Sequence, residues 1–91
     1  MLPFKQYEEN NKLIRVFEGN VDISELVWHQ DREDRLIKII ESNGWGYQLD
    51  NQLPLPLENG QELFITRMTY HRVIRGTGPL VVEIHAYKEQ M

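Results

Sequence analysis

Three features of this 91-residue sequence combine residue type and spacing in a way that could do chemistry. They are His29 with Asp31, the charge run Asp31-Arg32-Glu33-Asp34-Arg35, and His71. On an extended strand, residues two apart share a face, so the His29 imidazole and the Asp31 carboxylate point the same way and can hold one ion. The competing reading needs no ion: His29 ends a strand, and Asp31 begins a solvated turn of alternating charge. Arg35 either clamps Asp31 or Asp34 in a bidentate pair or reaches into a pocket to hold a carboxylate or phosphate. Trp28, Trp45 and Tyr47 either line a ligand pocket or fill the core, where large aromatics usually go. His85, between Glu83 and Tyr87, reads as a solvent-facing histidine. Gly76 and Gly78 are not a phosphate loop, because neither a helix nor a lysine follows them.

The elements that must position these residues are short and β-rich. Leu13 to Phe17, Leu26 to Trp28, Leu36 to Ile40, Leu63 to Ile65, Tyr70 to Arg75 and Leu80 to Ile84 form apolar or alternating runs separated by turn residues. Trp45, Tyr47 and Leu49 alternate with Gly46 and Gln48, the period-two pattern of a half-buried strand. Pro54 and Pro56 lack amide donors, so Leu53 to Leu57 must be an edge strand or an extended connector. Asn43-Gly44 and Asn59-Gly60 are turn signals. Many short strands punctuated this way predict an all-β sandwich or small barrel. A helical alternative exists over residues 22–44, with Asp22 and Glu25 as a capping box and Gly44 as the stop. Against it, residues 29–35 put no apolar side chain on the buried stripe for two turns.

In these spacings the chain resembles the cupin family. The first cupin motif runs glycine, five residues, His-x-His, three or four residues, Glu, six residues, Gly. Laid on His29, it puts its second histidine at Asp31, its glutamate at Arg35 and its closing glycine at Ser42. The second motif, laid on Gly60, puts its proline at Thr66, its second glycine at Met68, its histidine at His71 and its asparagine at Arg75. Identity holds at His29, Gly60 and His71, and Asp31 is a functional replacement because a carboxylate can stand in for imidazole. The resemblance spans Leu26 to Ile84. Gly19 departs from the pattern, lying farther before His29 than the motif glycine does. The resemblance implies a small double-stranded β-helix, a jelly-roll barrel, over residues 12–91 with a short N-terminal arm over residues 1–11. It also implies a divalent metal (Fe, Mn, Ni or Zn) held by His29, Asp31 and His71, with Arg35 or Arg75 orienting an anionic ligand in a pocket whose candidate wall residues are Trp45 and Tyr47. The departure at Arg35 matters, since a guanidinium only donates and repels a cation.

Composition narrows the function further. There are 10 Lys and Arg against 14 Asp and Glu, spread along the chain, for a net charge of -4. Nucleic-acid binding, which rests on concentrated positive charge, is disfavoured. The absence of cysteine removes disulfides and thiolate chemistry. No apolar run is long enough to span a membrane, and the expectation is a soluble, cytoplasmic protein. A chain of this length buries roughly 65% of its unfolded surface, enough for one core. Phe4 and Tyr7 on the arm predict a homodimer, by packing against a partner's sheet. Two functions stay open: a metal-dependent cupin acting on or sensing a small polar or anionic metabolite, and a metal-free interaction or regulatory module of the same fold. The sequence does not decide whether the protein is an enzyme.

Overall fold

The computed structural model describes residues 2–87. Eight strands follow one another: β1 (Lys5–Glu9), β2 (Lys12–Phe17), β3 (Asp34–Glu41), β4 (Gly46–Leu49), β5 (Leu55–Pro56), β6 (Glu62–Ile65), β7 (His71–Ile74) and β8 (Leu80–Tyr87). They form two antiparallel sheets, one in the order β1-β2-β8-β3-β6 and one in the order β5-β4-β7. Among the described residues, no helix is long and apolar enough to cross a membrane.

Turn chemistry explains most of the boundaries. Asn10 and Asn11 both have positive φ (49° and 65°), which asparagine tolerates and a tight two-residue hairpin requires. That turn folds β1 back on β2 in the register Glu9↔Lys12, so the segment expected to be an arm is, from Lys5 on, the edge strand of the larger sheet. Asn43 and Gly44 make the same kind of turn between β3 and β4, closed by the Trp45 amide donating to the Ser42 carbonyl at 3.0 Å. The proline-interrupted segment contributes only Leu55–Pro56, at the edge of the smaller sheet.

One expectation needs correction: Leu26 to Trp28 is not a strand. The disfavoured helical alternative over residues 22–44 is present only as a single 3-10 turn, Ile23–Glu25. The Asp22 carboxylate caps that turn by accepting the Ser24 amide at 3.0 Å. The capping signal was real, but the following polar residues gave the helix no apolar face to bury, and β3 took over at Asp34.

The core lies between the inward faces of the two sheets. Phe17, Ile39, Trp45, Leu80, Val82 and Ile84 are buried there, and Trp45 and Leu80 are wholly enclosed. Phe4 packs tilted against Phe17 at 5.3 Å and Phe17 against Trp45 at 5.5 Å between ring centroids. Phe4 is therefore used inside its own chain, which takes from the expected dimer contact one of its two anchors; Tyr7 stays exposed. The Trp45 indole Nε1 donates to the Gly78 carbonyl at 2.7 Å, so the enclosed ring keeps its one polar group satisfied. Each such large side chain contributes roughly 2–3 kcal/mol by leaving water.

The β7–β8 turn packs backbone to backbone on the β3–β4 turn. A Cβ at Gly76 would overlap the Asn43 carbonyl oxygen and approach the Trp45 amide nitrogen to 2.5 Å, whereas one at Gly60 meets open space but inherits a φ of 82°. We predict that Gly76→Ala destabilises by about 3 kcal/mol through overpacking and Gly60→Ala by about 1 kcal/mol through backbone strain. Urea denaturation of the two variants checks the order, and equal costs would show that the turns do not interlock.

Candidate metal centre and cavity

His71 opens β7, opposite Leu49 of β4, and His29 lies within the irregular segment between the 3-10 turn and β3. A two-way backbone bridge joins them: each amide donates to the other's carbonyl at 3.0 Å. The imidazoles consequently lie 4.2 Å apart, centroid to centroid. Asp31, two residues on from His29, is held by the loop before β7. Its carbonyl accepts the Met68 amide at 2.7 Å, and the Gln30 side-chain amide donates to the Met68 carbonyl at 2.8 Å. Together these bonds bring one ligand atom from each of His29, Asp31 and His71 within 4.8 Å of the others.

Both rings are oriented by the same device. His29 Nδ1 sits 3.0 Å from the Val27 carbonyl and His71 Nδ1 2.8 Å from the Thr69 carbonyl, in each case the residue two before the histidine. A carbonyl only accepts, so each Nδ1 carries the proton and each Nε2 is left as the free site. Such carbonyl-anchored imidazoles are a common arrangement around metals. His71 Nε2 lies 3.2 Å from Asp31 Oδ2, but off the line of a hydrogen bond, and this shielded oxygen has no hydrogen-bond partner. A shielded carboxylate oxygen this close to one imidazole nitrogen, with a second imidazole in the same cluster, needs a positive charge among them, either a proton or a metal ion. The donor set therefore fits a divalent cation.

The proton alternative shows in the acid–base properties. Burial pulls the His71 imidazolium down, but the Asp31 carboxylate and the Thr69 carbonyl outweigh it, and the net shift is upward. Burial pushes Asp31 up, but His71 and then Arg35 outweigh that, and its carboxyl sits below the ordinary range.

Arg35 supplies the other counter-charge. Its guanidinium is 3.2 Å from Asp31 Oδ1 and 2.9 Å from Glu33 Oε1, to which Nε also donates. The partner of Arg35 besides Asp31 is Glu33, not Asp34, whose carboxylate accepts the Arg67 amide at 2.7 Å. Along this stretch Asp31, Glu33 and Arg35 share one parity, and Asp34 faces the other way.

The trio and Arg35 stand on the wall of a cavity of about 350 Å³, otherwise largely apolar, with Tyr47 also on the wall. The other two candidate ligand residues lie elsewhere. Trp45 is sealed in the core, because Phe17 and the Gly78 turn cover it; Arg75 is exposed and donates to the Val21 carbonyl at 2.8 Å. His85 pairs with Glu83 at 2.8 Å on the outer face of the sheet. The sequence reading missed Arg15, which also lines the cavity. Its signal was there: Arg15 interrupts the inward row Leu13, Arg15, Phe17 of β2.

No protein-family model and no curated protein matches the chain in sequence, but solved structures match it in fold. An RmlC-like cupin family protein with a double-stranded β-helix fold from Methanocaldococcus jannaschii superposes with a TM-score of 0.69 at 11% identity, over 91% of this chain and 77% of that one. A cupin domain from Bordetella pertussis gives 0.64 at 15% identity, over 97% and 98%. Fe(II) HppE in complex with substrate gives 0.65 at 10% identity over 92% of this chain, which spans about half of the HppE chain (52%). The fold is thus the cupin double-stranded β-helix, and identities this low speak for the fold alone.

A pH dependence follows for the metal-free protein. A raised His71 pKa gives stability that is complete below its ordinary value of 6.5 and is lost as pH rises through the folded value. A lowered Asp31 pKa gives stability that is complete above its ordinary value of 3.8 and is lost as pH falls through the folded value. The pair therefore contributes fully between these two ordinary values. In chelator, the urea midpoint should fall from pH 6.5 to 9, and His71→Gln should flatten that slope; an unchanged slope would show that the pair is not coupled.

Proposed function

We propose that this cupin-fold chain binds one divalent metal ion through His29, Asp31 and His71, and beside it a small polar or anionic ligand in the cavity. The observation that carries the reading is Asp31 Oδ2, shielded from water, without a hydrogen-bond partner and 3.2 Å from His71 Nε2, with a ligand atom of His29 completing a cluster within 4.8 Å. Two imidazoles and one carboxylate suit Fe, Mn, Ni or Zn, and three protein ligands leave coordination positions for a small molecule. A bound ion would supply Lewis acidity toward a ligand oxygen.

The chain's own residues do the rest. The Val27 and Thr69 carbonyls keep the protons of both rings on Nδ1. Arg35 holds Asp31 by Oδ1, which leaves Oδ2 to the site. The apolar wall excludes water, so charge interactions inside are stronger than at the surface. Fe(II) HppE, among the similar structures, is a metal protein by its own description, which supports metal use on this fold.

A second reading has its own support. Arg35 and a protonated His71 already neutralise Asp31 as ion pairs, which is what a metal-free interaction or regulatory module would show.

Metal titration separates the two. Protein purified without a histidine tag and stripped of metal should take up one equivalent of Mn, Fe(II), Ni or Zn. Saturation at 100 times Kd should add about 2.7 kcal/mol of stability. Asp31→Asn and His71→Ala should each weaken uptake by at least tenfold. Arg35→Glu replaces a cation on the ligand carboxylate by an anion, so it should tighten binding in calorimetry, with the gain lost in the Arg35→Glu, His71→Ala double variant. No uptake and no thermal shift with any of these ions would establish the metal-free reading.

A further inference from the structure

Arg15 is the one charged residue in the inward row of β2. It lies between Leu13 and Phe17 and opposite Val82 of β8, which in turn pairs with Ile39 of β3. Its Nε donates to Gln6 Oε1 at 2.7 Å, and the Phe4 ring lies 4.1 Å from its guanidinium carbon. Among the described residues, no carboxylate forms an ion pair with it. The other cavity guanidiniums are better placed. Arg35 is neutralised by Asp31 and Glu33, and Arg72 lies over the exposed Trp28 ring while donating to Gln48. Burial, then repulsion by Arg35, pushes the Arg15 pKa down to about 10 against the more distant attraction of Asp31 and Glu33, so the group is still a cation at neutral pH. The fold thus keeps a half-buried positive charge on a wall that is otherwise largely apolar and, among the described residues, gives it no carboxylate in ion-pair contact.

We propose that Arg15 anchors the carboxylate of a small organic acid whose apolar body fills the cavity beside the His29–Asp31–His71 cluster. This rests on the reading of the cavity as a ligand site and not on metal occupancy. With Nε engaged by Gln6, the terminal nitrogens offer the fork geometry that a carboxylate matches bidentately. One guanidinium neutralises one negative charge, whereas a phosphate dianion would leave a second charge uncompensated against apolar side chains. The body of the ligand meets Ile37, Ile39, Leu63, Val82 and Ile84. A cavity of about 350 Å³ lies at the small end of the range for ligand pockets.

Methyl and arginine-Nε NMR titrations of metal-stripped protein in chelator provide the test, with hexanoate, hexanol, hexylamine and hexyl phosphate as probes. Hexanoate should shift the Val82 and Ile39 methyls and the Arg15 Nε signal, and bind at least tenfold tighter than the other three. In Arg15→Gln that preference over hexanol should vanish, and in Arg15→Lys it should survive in part, which separates lost charge from lost packing against Phe4. Equal binding of acid and alcohol in the parent, a preference that persists in Arg15→Gln, or a preference for the phosphate would overturn the assignment while leaving the cavity a ligand site. Binding of none of the probes would overturn both, and metal uptake measured in parallel would still judge the trio independently.

Discussion

The pair of backbone hydrogen bonds between His29 and His71 is the constraint on which the site depends. These residues come from segments far apart in sequence, one on the way into the larger sheet and one at the start of a strand in the smaller. Reciprocal 3.0 Å bonds set their Cα atoms side by side, and in such an antiparallel bridge the side chains leave on the same face. With the two rings fixed, the two-residue offset along the chain puts Asp31 on the same side. The Met68 contacts then keep that loop from drifting. The placement of the trio descends from this bridge, while Arg35 is brought to it by β3.

The cost of the arrangement is charge on an inward face. Arg35 shares the inward face of β3 with Ile37 and Ile39, and Asp31, just before the strand, lines the same cavity, with Glu33 paired to Arg35 beside them. The charged groups persist because they neutralise one another: Arg35 bridges the two carboxylates, and His71 faces the remaining Asp31 oxygen. Replacing such a set by apolar side chains is often neutral or favourable for stability, so retaining it fits a binding role better than a structural one. Deeper in the same space the chain returns to ordinary packing. Phe4 and Phe17, which line the cavity, pack on one another and on the enclosed Trp45, against which the interlocked glycine turn lies, and close packing of this kind gives the cavity wall rigid support.

Much of this was legible in the residues. Short apolar runs placed β2, β3, β6 and β7, alternation placed β4 and β8, the prolines placed an edge, and the motif spacing singled out His29, Asp31 and His71. Some misses were legible too. The Asn10-Asn11 hairpin is a turn signal inside what looked like a polar arm. Strand parity alone separates Arg35 from Asp34 and turns Arg15 inward.

Other outcomes were beyond any local pattern. Trp45 and Tyr47 share one face of one stretch, yet the first is sealed in the core and the second reaches the cavity. Their parity is identical, and only their depth between the sheets differs. The sequence by itself determined which side chains share a face, because that depends on a two-residue backbone period and on turn residues close by. Tertiary structure alone decided which faces meet, how deep each residue lies and which charges find partners. Those depend on strands brought together across long stretches of chain, where hydrogen bonding between backbones is indifferent to side-chain identity and packing selects the pairing.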